Sequence, residues 1–140
     1  MIDSCVLLWV EQLETSEDCI SLILADTFLE SSDLSALFHD LKLNNSLQRL
    51  SLAACHIDRA AASALAEYIR LDNSLRMLDL SRCHVTSEAC HILAASLLQN
   101  RSIHVLDFTG AEVSEDGQEV LMRTKEGEID IVGFHQEFYA

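Results

Sequence analysis

Ser46-Leu47-Gln48-Arg49-Leu50-Ser51-Leu52-Ala53-Ala54-Cys55-His56-Ile57 returns 28 residues later as Ser74-Leu75-Arg76-Met77-Leu78-Asp79-Leu80-Ser81-Arg82-Cys83-His84-Val85. The same interval leads to Ser102-Ile103-His104-Val105-Leu106-Asp107-Phe108-Thr109-Gly110-Ala111-Glu112-Val113. One interval back, Cys19, Leu22, Leu24, Thr27 and Leu29 form a weaker copy in register. Four copies at one unbroken period mark a repeat architecture, in which each unit buries its apolar face against the next.

The copies read L-x-x-L-x-L-x-x-C-x-[ILV], with Ile103, Phe108 and Ala111 replacing Leu, Leu and Cys in the third and Cys19 and Thr27 replacing Leu and Cys in the first, and then change period. In the short segment apolar and variable residues alternate, so Leu50 and Leu52, or Leu78 and Leu80, face one side of a strand. The remainder has helical spacing: Leu34, Leu37, Phe38 and Leu41 share one face, as do Ala62, Leu65, Ala66 and Ile69, and Cys90, Leu93, Ala94 and Leu97. Ser32-Asp33, Asp58, Thr86-Ser87 and Ser114 stand where N-caps are needed. Asn45-Ser46, Asn73-Ser74 and Arg101-Ser102 supply turn chemistry before each strand.

A strand and a helix every 28 residues resembles the ribonuclease-inhibitor class of leucine-rich repeat, over about residues 19 to 113. That class takes in ribonuclease inhibitor, the sensor ends of NOD-like receptors, tropomodulins and Ran GTPase-activating protein, and the motif selects no member. The resemblance implies an α/β fold, a short right-handed strand–helix solenoid with a parallel inner sheet of about five strands and outer helices. One domain is expected over residues 1–140: an N-terminal cap at 1–18, four repeats over 19–113, and a C-terminal cap at 114–140. Cys5 to Leu13, with Trp9, is expected to cap the stack as a helix, because a terminal repeat otherwise exposes its core. At the other end a short helix is expected over Glu115 to Thr124, then a turn at Lys125-Glu126-Gly127. Glu128-Ile129-Asp130-Ile131-Val132 reads as a fifth strand, 23 residues on from the third copy.

Charge limits the function classes. The 140 residues carry 9 Lys and Arg against 23 Asp and Glu, a formal net of −14. Such a balance argues against nucleic acid and against an anionic membrane surface as partners. Hydrophobic residues make up 49%, too many for a disordered chain, and no uncharged apolar run approaches a membrane span. The start, Met1-Ile2-Asp3, has no basic region, and Asp3, Glu11 and Glu14 come before any Lys or Arg, so no secretory signal is expected. An odd five cysteines fits reduced thiols and a cytoplasmic setting. The acids cluster at the ends: residues 1 to 40 hold nine and no Lys or Arg, 41 to 111 hold six against seven bases, and 112 to 140 hold eight against two. Charged ends keep a solenoid from stacking end to end, and they also steer a basic partner; the sequence leaves both open.

The register assigns the concave face. Its columns read Ser21, Arg49, Met77, Val105, Glu128; then Ile23, Ser51, Asp79, Asp107, Asp130; then Ala25, Ala53, Ser81, Thr109, Val132. Arg49, Met77, Asp79, Arg82, Val105, Asp107 and Asp130 are the candidate partner-binding residues. Like charges opposite one another destabilise a sheet, so repulsion among Asp79, Asp107 and Asp130 is expected to raise at least one pKa and to invite a basic side chain. The competing account is that Asp between two strand leucines is a habit of the repeat class.

Catalytic and metal chemistry have little support. Cys55-His56, Cys83-His84 and Cys90-His91 are adjacent pairs, but adjacent residues point apart, and the register buries Cys55, Cys83 and Cys90. Neither C-x-x-C nor H-x-x-x-H occurs, nor a nucleophile elbow or phosphate loop. No cofactor or metal is therefore expected. His56 and His84 should stack one repeat apart on the outer turn. Asn44-Asn45-Ser46 and Asn100-Arg101-Ser102 are formal glycosylation sequons, which a cytoplasmic chain does not use. The leading expectation is a non-enzymatic protein–protein interaction module, a subunit or arm of a larger assembly, holding a partner by the concave face or an end. The alternatives are a regulator, inhibitor or activator, of a basic enzyme or GTPase, and more remotely a metal-binding or catalytic protein using the Cys-His pairs.

Overall fold

The computed structural model describes residues 21–24, 31–42, 46–124 and 127–134. Strands and helices alternate: β1 (Ser21–Ile23), α1 (Ser31–Leu41), β2 (Arg49–Ser51), β3 (His56–Ile57), α2 (Arg59–Leu71), β4 (Met77–Asp79), β5 (His84–Val85), α3 (Ser87–Leu97), β6 (Val105–Asp107), β7 (Glu112–Val113), α4 (Glu115–Arg123) and β8 (Asp130–Val132). A five-stranded parallel sheet has the order β1-β2-β4-β6-β8, and a smaller parallel sheet has the order β3-β5-β7. Every neighbour is thus the same element of the adjacent repeat, as a solenoid requires.

Both periodicities converge on one core. Leu22, Leu50, Leu78 and Leu106 lie in register across the large sheet, and all are buried. They meet the helix faces of Leu34, Leu37, Phe38, Leu65, Ile69, Cys90, Leu93 and Leu97 in a single apolar cluster. Ala66 is only half-buried; Tyr68 takes the place beside Ile69, is fully buried, and stacks on Phe38 with ring centroids 6.3 Å apart. The Cys5–Leu13 cap, Cys19, Thr27, Leu29 and the Lys125-Glu126 turn lie outside the described residues.

Helix starts follow side-chain capping. Asp58, Thr86 and Ser114 accept from the backbone N–H of Ala61, Ala89 and Gly117 at 2.9, 3.2 and 3.1 Å. Ser32-Asp33 differs from expectation: α1 already begins at Ser31, so the pair lies in the first turn. α4 ends at Arg123 with Thr124 as its C-cap. The step before each strand has its own device. Asp72 accepts from the N–H groups of Ser74 and Leu75 at 3.0 and 2.6 Å. Asn100, 28 residues on, accepts from Ser102 and Ile103, both at 2.8 Å, and donates back one repeat to the Ile69 carbonyl at 2.7 Å. Asn100 is 3% exposed, so its sequon reading is set aside on burial alone.

After each strand the chain turns through a left-handed residue: Ala54 at φ 66°, Arg82 at φ 56° and Gly110 at φ 71°. Only the third is the residue that adopts this conformation without cost. Ala54→Gly is therefore expected to raise stability by about 0.5–1 kcal/mol, the left-handed penalty less the added chain entropy. Urea denaturation checks it, and an unchanged midpoint contradicts it.

The last strand departs from the expected register. Val105, Leu106 and Asp107 pair with Asp130, Ile131 and Val132, an interval of 25 residues instead of 23. Ile129 and Ile131 alternate, so a slip of two residues keeps the same faces and the apolar pattern does not choose between them. Gly133 and Phe134 do. A Cβ on Gly133 would lie 2.4 Å from the Thr109 nitrogen, and its φ is +101°, so only glycine fits there. That close approach brings Phe134 onto Phe108, ring centroids 4.7 Å apart.

Candidate functional site

The face of the large sheet away from the helices carries two rows of side chains. One is Ser21, Arg49, Met77, Val105, Asp130, and the other is Ile23, Ser51, Asp79, Asp107, Val132. Asp130 therefore stands beside Val105 at the end of the first row and does not extend the Asp79–Asp107 row; this corrects the three-carboxylate column. Arg49 is exposed, and Met77 and Val105 are half-buried, giving a low apolar strip between a cation and an anion. The second row is apolar at both ends, where Ile23 is 57% and Val132 40% exposed, and polar between.

The two aspartates of that row are held by their own repeats. Asp79 Oδ1 accepts from the Ser81 N–H at 2.9 Å, and Oδ2 accepts from the Ser51 hydroxyl at 2.9 Å. Asp107 Oδ1 accepts from the Thr109 N–H at 2.9 Å and from its hydroxyl at 2.6 Å. Burial pushes the Asp79 carboxyl up, but the bonds from Ser81 and Ser51 and the nearby Arg82 charge outweigh it and hold the group below its ordinary value. At Asp79 the expected rise does not occur: local hydrogen bonds to the charged form win. Arg82 sits in the left-handed turn after β4, exposed, with its N–H on the Thr109 carbonyl at 2.9 Å and its Cγ close over Gly110.

The row also holds residues outside the candidate set. Ser51 is buried and ties β2 to Asp79. Thr109 closes the Asp107 turn, and Ile23 and Val132 frame the row. The 28-residue columns contain Ile23 and Ser51, but a preference for long or charged side chains leaves them out.

The Cys-His pairs separate as expected. Cys55, Cys83 and Cys90 are buried free thiols. Burial pushes Cys55 and Cys90 up to about 11 and Cys83 up to about 12, and the Cys83 thiol donates to the Leu52 carbonyl at 3.0 Å. Such thiols are poor nucleophiles and poor metal ligands. His56 and His84 stack on the small sheet, rings 4.9 Å apart and inclined by 6°, with His84 Nδ1 3.0 Å from Glu112. His91 pairs instead with Asp116 at 3.1 Å; this bond and one from Ser87 hold the Asp116 carboxyl below its ordinary value. Among the described residues, no group of three or more His, Cys, Asp or Glu side chains is placed to hold a metal ion. Nor, among them, is any helix long and apolar enough to cross a membrane.

Comparison with known proteins adds the fold class. A family model described as Leucine Rich repeat matches residues 43–66. A search of curated protein sequences returns no match. Among solved structures, Leiomodin-1 Actin-Binding Site 2 (ABS2) is similar with a TM-score of 0.74 at 17% identity, over 91% of this chain and 78% of that one. The tropomodulin C-terminal domain of Caenorhabditis elegans is similar with a TM-score of 0.76 at 19% identity, over 93% and 82%. Together with the register above, these place the chain in the leucine-rich repeat fold.

Proposed function

We propose that this leucine-rich repeat protein is a non-enzymatic protein–protein interaction module, one arm of a larger assembly, which holds its partner on the helix-free face of the large sheet. The observation that carries the reading is the central pair of aspartates. Asp79 has both carboxylate oxygens engaged, but Asp107 Oδ2 accepts no hydrogen bond among the described residues, and the Met77–Val105 strip lies beside it. A partner that sets a Lys or Arg against Asp107 and an apolar side chain on Met77 and Val105 fits this surface. Repeat solenoids bind through such extended faces. One of the similar structures is an actin-binding site of leiomodin-1, which supports a protein partner by analogy of fold. Buried, unbridged thiols support a reducing, cytoplasmic setting.

Asp107→Asn tests the reading. Oδ1 remains an acceptor for Thr109, so the melting temperature should stay unchanged, while affinity for a partner seated on Asp107 should fall by about 1–3 kcal/mol, the worth of a charged hydrogen bond. Glu67→Gln on α2 is the control, since Glu67 faces Lys42 on the helix side at 2.8 Å. The measurement is the titrated affinity of each variant for the protein that co-purifies with tagged wild type. Equal affinities for all three chains would exclude this face.

A further inference from the structure

We infer that the rim where the strands of the large sheet begin is a docking strip for an acidic, Asp- or Glu-rich segment of a partner protein, held by Arg49, Arg76 and Arg101. The three arginines belong to three successive repeats. Arg49 opens β2. Arg76 stands just before β4, with its N–H on the Gln48 carbonyl at 2.8 Å; His104 stands just before β6, with its N–H on the Arg76 carbonyl at 2.8 Å. Arg101 lies in the turn that feeds β6, between buried Asn100 and Ser102. All three arginines and His104 are exposed. Arg76 stands at the repeat position of Gln48, the residue before Arg49, so these two lie on neighbouring strands about 4.8 Å apart. Arg101 lies in the turn three residues before His104, and the long arginine side chains reach across such offsets toward one extended segment.

The charge on this rim is not used within the described residues. Lys42 pairs with Glu67 at 2.8 Å and Arg123 with Glu119 at 2.6 Å, as bases near helix C-termini commonly do. Arg49, Arg76 and Arg101 lie outside the helices, and among the described residues no carboxylate forms an ion pair with them. In a chain of net −14 with acids in excess, three cations on successive repeats with no ion pair among the described residues are a local reversal of the overall charge. The reversal has an end: Glu128 and Asp130 are exposed in the next repeat, where the Asp130 N–H bonds the His104 carbonyl at 2.8 Å. An acidic segment is thus attracted over β2, β4 and β6 and repelled at β8, which sets its extent. At physiological ionic strength the more distant acids are screened beyond about 8 Å, so the rim presents its own sign to a partner already on the surface.

This rests on the reading that the sheet face holds a protein, and adds the chemistry of one part of that protein. The test uses the whole chain and a fluorescein-labelled oligoglutamate peptide, followed by fluorescence anisotropy, with an oligolysine peptide of the same length and phosphatidylserine vesicles as parallel probes. Saturable oligoglutamate binding is expected, weakened about tenfold or more in the Arg49→Ser, Arg76→Ser, Arg101→Ser triple variant and weakened by added salt. Arg59→Ser, on the opposite rim at the start of α2, should bind as wild type does. Unchanged thermal melting of the triple variant, whose altered side chains are all exposed, separates lost binding from lost folding. Absence of saturable binding, equal loss in Arg59→Ser, an unaltered triple variant, or binding to the vesicles in place of the peptide each overturns the inference. These outcomes leave the Asp107→Asn result untouched, so failure here and failure of the interaction reading are distinguishable.

Discussion

Leu78→Ala is expected to lower the unfolding free energy by about 2–5 kcal/mol, the range for opening a cavity in a packed apolar core. Leu78 is 1% exposed and lies in register between Leu50 and Leu106. Ile69, Leu93, Leu97 and Leu121 line the interior space beside it. Alanine there withdraws contacts from two adjacent repeats at once. A solenoid has no long-range contacts to compensate, because each repeat touches only its neighbours. The effect should appear as a lower urea midpoint, read against Leu98→Ala, whose side chain is 62% exposed and whose loss should stay within about 0.5 kcal/mol. Similar midpoints for the two variants would contradict the register on which the fold rests.

Asn100→Ala is expected to cost about 3 kcal/mol, although it removes no apolar surface. Its carbonyl oxygen caps the N–H groups of Ser102 and Ile103, and its amide reaches the carbonyls of Ile69 and Asp72 at 2.7 and 3.2 Å. Alanine leaves these backbone groups without their partner in a buried turn, and an unsatisfied buried group costs about 1–3 kcal/mol. Asn100→Asp keeps the acceptor but sets a carboxylate against the Ile69 carbonyl, so it should not restore stability. Urea unfolding of both variants checks the result. Rescue by Asp would show that only the capping half of the arrangement matters.

These two residues also show how far the fold is legible in the sequence. Leu78 is legible because the repeat places Leu50, Leu78 and Leu106 at one position, and burial follows position. Asn100 is not: its sequon suggests a surface acceptor, whereas the period sets it in line with Asp72, the residue that caps the preceding strand. Asp79 and Asp107 are neighbours as the columns require, yet the sign of the Asp79 shift depends on bonds to Ser51 and Ser81 that spacing does not reveal. Asp130 departs from its column for a third reason. Two isoleucines of equal parity fit the core in either register, and the deciding contact, Gly133 against the Thr109 backbone, is three-dimensional. The rim of Arg49, Arg76 and Arg101 does not follow from the columns, because Arg76 repeats Gln48 and Arg101 repeats Asn73, and its lack of ion pairs among the described residues is visible only once Lys42 and Arg123 are seen with theirs.

The claim that the sheet face holds the partner is tested most directly by hydrogen–deuterium exchange of the whole protein, alone and with the protein that co-purifies with it. Binding is predicted to slow exchange in the peptides that contain 49–53, 77–81 and 105–109, with α2 and α3 unaffected. Protection confined to Arg59–Leu71 and Ser87–Leu97 would place the partner on the helices and contradict the account.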